Sequence, residues 1–228
     1  MPTRPSIQPI PAVPQPQSRR RRPLLLAGAV VFVAAGCLVA ANVLGGTTET
    51  TATTYVGVES IVVDFGAGNV TLTGATGPDV DVRTTVHSSF TSTPVTGQRL
   101  TDGVLTISAS CPPPSMNCGV DAELTVPTGV PVAVRLTAGE VNADNLDVPD
   151  FQAAVGSGRV EATFVRPPDL VDIDAGSGEI VVKLPDAGYR INAETRTGTV
   201  EIDLRQDPDA ARVVRVQTGT GTVTLGRN

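Results

Sequence analysis

Six segments of this chain carry a ten-residue pattern anchored on a glycine, and that repetition leaves few architectures open. They begin at Val63 (VDFGAGNVTL), Val134 (VRLTAGEVNA), Ala153 (AAVGSGRVEA), Ile173 (IDAGSGEIVV), Ala193 (AETRTGTVEI) and Val216 (VQTGTGTVTL). The anchoring glycines are Gly68, Gly139, Gly158, Gly178, Gly198 and Gly221, and from Gly139 onward they lie 19, 20, 20 and 23 residues apart. The glycine defines the alignment, so other columns must test it. The first, eighth and tenth columns are apolar in all 18 cases, where a chain of this composition gives roughly seven by chance. Columns two, seven and nine are mostly polar, as in Asp64, Asn69 and Thr71. Period-two alternation on both sides of a glycine turn is the mark of strands with one buried face.

A unit of this length cannot bury its own apolar face, whereas stacked units can. Small corners such as Gly-Ser-Gly let successive turns superimpose without Cβ clashes. The expectation is an all-β chain: a β-solenoid or β-helix of four to five coils over residues 130–228, with an antiparallel meander or sandwich as the alternative. Residues 55–129 hold one copy of the motif and then less regular strands (DVDVRTTV from Asp79, VLTISA from Val104, DAELTVP from Asp121), read as the start of the same domain. A narrow interior filled by Val, Ile, Leu and Ala has little use for rings, and only 3% of residues are aromatic. The shortage of rings, with a net charge of −6, speaks against a nucleic-acid partner. One His and three Cys leave little for structural zinc, and no cofactor is expected.

The charge is unevenly placed. Residues 1–22 hold six prolines and Arg4, Arg19, Arg20, Arg21 and Arg22 with no acid, or +5, while the rest carries 12 Lys+Arg against 23 Asp+Glu, or −11. Dense proline predicts a disordered tail. Leu24 to Leu44 is uncharged over 21 residues, and a helix of that length reaches roughly 32 Å, enough for a hydrocarbon core. With Arg19–Arg22 just before it, the span (23–45) is expected to hold its N-terminus in the cytoplasm and to place the C-terminal part of the chain outside. Two alternatives stand behind this retained anchor. Ala34-Ala35-Gly36-Cys37 resembles a lipobox with Cys37 as the acylated residue, and Val39-Ala40-Ala41 resembles a processing site. The Thr-rich stretch 46–54 lacks apolar periodicity and reads as a linker, leaving 55–228 as the exterior domain.

Cys111 and Cys118 share the exterior part, while the third cysteine lies in the apolar segment, which argues for one disulfide. Catalytic supply is thin. His87 has no evident Ser or Cys partner. Asp79/Asp81 and Asp172/Asp174 lie at i and i+2, a spacing that shares a strand face and suits acid/base work or Ca²⁺. Asp172-x-Asp174 lacks the later Glu of a calcium loop, and a solvated acidic face is the preferred reading. The GxG turns precede no helix, so they offer no phosphate cradle. Asn69-Val70-Thr71 is a formal glycosylation sequon.

The Arg-rich start, single span, Cys-Pro-Pro…Cys followed by Val-Asp-x-x-Leu-x-Val-Pro, recurring Gly-polar-Val turns and LPDAGYRINAETRTGTVEI together resemble the putative-adhesin β-strand-repeat family, a bacterial family of unknown function, in its membrane-anchored actinobacterial form. The resemblance covers roughly residues 55–226. Many members show Ser-Gly-Asp where this chain has Ser-Gly-Arg, Ser-Gly-Glu or Thr-Gly-Thr, a departure that speaks against a repeated Asp metal site. The resemblance implies a surface-exposed repeat domain with no catalytic residues, and the long rows of outward residues on stacked coils suit a cell-wall polymer or an envelope protein as partner. An envelope sensor acting through the N-terminal tail is the second reading, and a polysaccharide-processing β-helix enzyme the third.

Overall fold

The computed structural model describes residues 41–43, 46–89, 92–113 and 118–228, and every regular element in them is a strand. The tail with Arg19–Arg22, Cys37 and most of the expected span lie outside the described residues. Among those described, no helix is long and apolar enough to cross a membrane.

The six motif copies are six long strands: β3 (Ser60–Ala75), β8 (Val132–Leu146), β9 (Asp150–Phe164), β10 (Leu170–Leu184), β11 (Arg190–Ile202) and β12 (Val213–Arg227). Each is two arms joined at its glycine, and β9 shows how. Phe151, Ala153 and Val155 are buried before Gly158, and Val160, Ala162 and Phe164 after it. From Val155 to Val160 the alternation slips by one residue, so on a straight strand the two apolar sets would face opposite sides. Yet the rings of Phe151 and Phe164 meet edge-to-face with centroids 5.7 Å apart, where a straight strand would separate them by roughly 43 Å. The chain folds back at Gly158, and both arms close on one core.

Neighbouring copies pair in parallel with their glycines in register: Gly68 beside Gly139, then Gly158, Gly178, Gly221 and Gly198. The stacking demands glycine. At Gly158 φ is +150°, and an added Cβ would lie 1.7 Å from the Gly139 carbonyl oxygen. Strands β6 (Val104–Ser110) and β7 (Gly119–Pro127) complete the parallel stack, β6 on the first arm of β3 and β7 on the second. They act as the two arms of one further rung. Its corner is not a glycine turn but the loop closed by the Cys111–Cys118 disulfide.

Beyond this rung the pairing turns antiparallel. β5 (Val95–Thr101) lies on β6; β4 (Val80–Ser89) lies on β7, β2 (Gly46–Tyr55) on β4, and β1 (Ala41–Val43) on β2. The sheet is therefore mixed, and the motif strands themselves pair only in parallel, against the meander alternative. One apolar cluster runs through it from Tyr55 to Leu225. At the β2 end it is closed by a polar bridge: the Tyr55 hydroxyl donates to Gln98 Oε1 at 2.9 Å, and Gln98 Nε2 donates to Thr84 Oγ1 at 2.9 Å.

Three features depart from the sequence expectation. The segment 46–54, expected as a linker, is strand β2, paired with β4 from Gly46/Ser89 to Tyr55/Val80. β-branched threonines suit an outer strand that needs no apolar face. Ala41–Val43, expected in the spanning helix, form β1 against Gly46–Thr48. Last, the stacking order ends β10-β12-β11, so the final strand lies inside the penultimate one. Cross-strand charge favours that order. Direct stacking of β11 on β10 would set Glu194 opposite Asp174, and like charges in that position destabilise a sheet. With β12 between them Gln217 separates the two acids, and Arg215 Nη1 reaches Asp172 Oδ2 at 2.8 Å.

A candidate binding face on the second arms

Alternation along the strands decides which side chains reach solvent on the second arms. On β4 these are Asp81, Arg83, Thr85 and His87; on β7 they are Asp121, Glu123 and Thr125; β3 adds Asn69, Thr71 and Thr73. Pairing of β2, β4, β7 and β3 sets them side by side. Thr54 Oγ1 donates to Asp81 Oδ1 at 2.6 Å, and the Asp81 amide donates to Thr125 Oγ1 at 2.8 Å. Arg83 Nε lies 3.6 Å from Glu123 Oε2. A groove of about 630 Å³ runs over this region, lined by Thr54, Thr71, Thr73, Asp81, Arg83 and Glu123 among others.

The Arg83 and Glu123 side chains are 62% and 68% exposed, and an ion pair so exposed contributes little to stability. Their guanidinium and carboxylate are available to a partner instead. Alongside the threonine hydroxyls they give the groove both donors and acceptors in fixed positions.

His87 lies at the corner end of the same face. Its Nε2 is 2.8 Å from Asp121 Oδ2, while Asp121 Oδ1 accepts from the Asn69 amide at 3.0 Å and from Asn69 Nδ2 at 2.9 Å. Asn69 Oδ1 in turn accepts the Glu140 amide at 3.2 Å. A Ser-His-Asp relay needs the imidazole between a carboxylate and an attacking hydroxyl. Here both oxygens of Asp121 fix the position of neighbours, tying β4 and β7 to the corner of β3. The arrangement is a brace, and it holds the side chain of the sequon residue Asn69 as a donor to Asp121.

The acidic pairs fare differently. Asp79 precedes β4 while Asp81 stands in the groove; Asp172 and Asp174 together line a separate shallow groove with Arg135 and Ala154 on the first arms, and Asp172 is also held by Arg215. Among the described residues no group of three His, Cys, Asp or Glu could hold a metal ion. Sequence reasoning missed Arg83, Glu123 and the threonines. The available signal was their outward parity within DVDVRTTV and DAELTVP.

No protein-family model and no curated protein sequence matches the chain. Solved structures do. A "putative cell adhesion protein" from Clostridium sporogenes aligns with TM-score 0.58 at 16% identity, over 79% of this chain and 100% of that one. A "putative adhesin" from Bacteroides fragilis aligns at 12% identity over 78% of this chain and 97% of its own, with TM-score 0.27. The first likeness establishes a shared fold.

Proposed function

We propose that this chain is a membrane-anchored bacterial surface protein of the adhesin-like repeat family, whose exterior domain is a short two-armed β-solenoid that binds without catalysis. The observation that carries the reading is the groove on the second arms. It presents Arg83, Glu123 and a set of threonine hydroxyls at high exposure, on a scaffold whose glycine corners and stacked apolar columns keep the sheet rigid. Such a surface suits a polar polymer or the polar rim of an envelope protein. The shared fold with a solved protein named for cell adhesion supports it, as do the uncharged segment 24–44 and the preceding arginines.

The test is retention on isolated cell-wall and envelope fractions, comparing the native chain with a Thr71→Ala/Thr73→Ala/Arg83→Ala variant. These side chains are exposed, so the variant keeps its fold and its circular dichroism. Retention of the native chain that falls at least tenfold in the variant supports the reading. Equal retention of both would remove the groove from it.

A further inference from the structure

We infer that the slot between β10 and β11 also accepts β12 from a second copy of this chain, so that two copies associate by exchanging their C-terminal strands. This goes beyond the binding face and does not depend on it. It rests on the C-terminal end of the stack, where spatial order departs from chain order. β11 follows β10 at the same 20-residue glycine spacing that separates earlier rungs, yet β12 occupies the place beside β10. Strand β12 therefore enters between two strands that precede it in the chain.

Once there, it is paired on both sides, from Leu170/Val213 to Leu184/Arg227 and from Arg190/Val213 to Ile202/Leu225. Val214, Val216, Thr218, Val223 and Leu225 are all buried.

The slot is selective. Were β12 withdrawn, closing β11 onto β10 would oppose Glu194 to Asp174 and leave Asp172 without Arg215. The core would also lose the apolar inner positions of β12, and β11 offers the smaller Ala193 where β12 offers Val216. Collapse brings Ile191, Val200 and Ile202 to the places of Val214, Val223 and Leu225 but does not fully heal the gap. The sequence that does is β12, and each further copy of the chain carries one.

The tether permits it. Residues 203–212 are mostly exposed, with Leu204 the residue that packs on the core. They are held at the edge by a few backbone bonds, Tyr189 N–H to the Arg205 carbonyl and Asp207 N–H to the Tyr189 carbonyl among them. Ten extended residues span up to roughly 33–36 Å, enough to carry β12 away from its own rung. Exchange replaces each intramolecular ladder by an identical intermolecular one, and reciprocal exchange closes a two-fold dimer.

The experiment uses the full chain in mild detergent, in a Cys37→Ser background. Val181 and Thr224 face each other across the β10–β12 ladder. One copy carries Val181→Cys, a second copy carries Thr224→Cys, and the two are co-expressed. Neither can form this link internally, so a disulfide joining 181 of one chain to 224 of the other, identified by peptide mass, is the expected result. A single chain with both substitutions is the control. If that chain closes its internal disulfide while the mixed copies never link, the proposal is overturned. Light scattering gives a second reading independent of cysteine placement. An exchanged dimer persists through a tenfold dilution, because separation requires β12 to leave its slot; a monomer at every concentration tested overturns the proposal as well.

Discussion

A methyl group is the largest change the rung corners have to answer for. At Gly158 the added carbon would sit 1.7 Å from the Gly139 carbonyl oxygen, and that oxygen belongs to backbone already fixed by its own ladder. Gly158→Ala therefore forces the rungs apart or the corner out of shape, and we expect a loss of about 3 kcal/mol or more. Gly226→Ala is the control, since nothing lies within 4 Å of its added carbon; its urea midpoint stays within experimental spread of the parent. Two tyrosines set a second expectation. Burial raises the phenols of Tyr55 and Tyr189, the latter helped by Asp186 and opposed by Arg212. Each is a neutral donor in the fold, Tyr55 to Gln98 and Tyr189 to the Pro185 carbonyl at 2.9 Å. The unfolded phenols ionise near pH 10.0. Their contribution is thus complete below pH 10 and declines as pH rises from there through the higher folded values. Urea midpoints from pH 7 to 11 should fall above pH 10. A Tyr55→Phe/Tyr189→Phe variant should be weaker by about 1 kcal/mol for each lost hydrogen bond at pH 7, with a shallower alkaline decline.

Elements differ in what fixes them. The glycine rungs are fixed by stacking, whereas the β6–β7 rung has a covalent corner in its place. Its 111–118 loop is short, and losing the crosslink costs about 2–3 kcal/mol by loop-closure entropy. A Cys111→Ser/Cys118→Ser variant should lose that much. Hydrogen exchange should quicken first in β7 and in β4, which leans on it, and later in β9 and β10, which have their own glycine corners. The glycine rungs were legible in the sequence because one quantity, inward apolar burial, writes itself into columns that recur. Val70, Val141, Val160, Ile180 and Val223 share column eight and are all buried. Strand β2 was not legible: its partners on β4 supply the pairing, and an outer strand of threonines needs no apolar alternation to stay paired. Nor was the β10-β12-β11 order, since β11 and β12 carry the same motif. What separates them is the company of Asp172 and Asp174, a relation between strands distant in the chain.

At the scale of the whole molecule, legibility obeys the same rule. The candidate face was hidden because Thr71, Arg83 and Glu123 come from three strands, and each alone is an ordinary surface residue. Charge, by contrast, sums along the chain and can be read before folding: +5 over residues 1–22 and −11 over the remainder. On the proposed topology these two pools lie on opposite sides of a membrane, with the uncharged segment 24–44 between them. Orientation then depends on Arg19–Arg22 more than on the acidic domain, because carboxylates contribute little to topology while positive residues beside a span hold their end inside. Protease added to intact cells should degrade the chain beyond residue 46 and spare the tail. The β-domain should resist until its ladders open, so the earliest cuts are expected at exposed connections such as 203–212. Replacing Arg19–Arg22 by Gln should give a mixed population in which a share of the domain becomes protected. If the four arginines are removed and every copy stays fully accessible, the anchor reading gives way to a processed or acylated N-terminus. A palmitate label lost on Cys37→Ser would then separate those two outcomes.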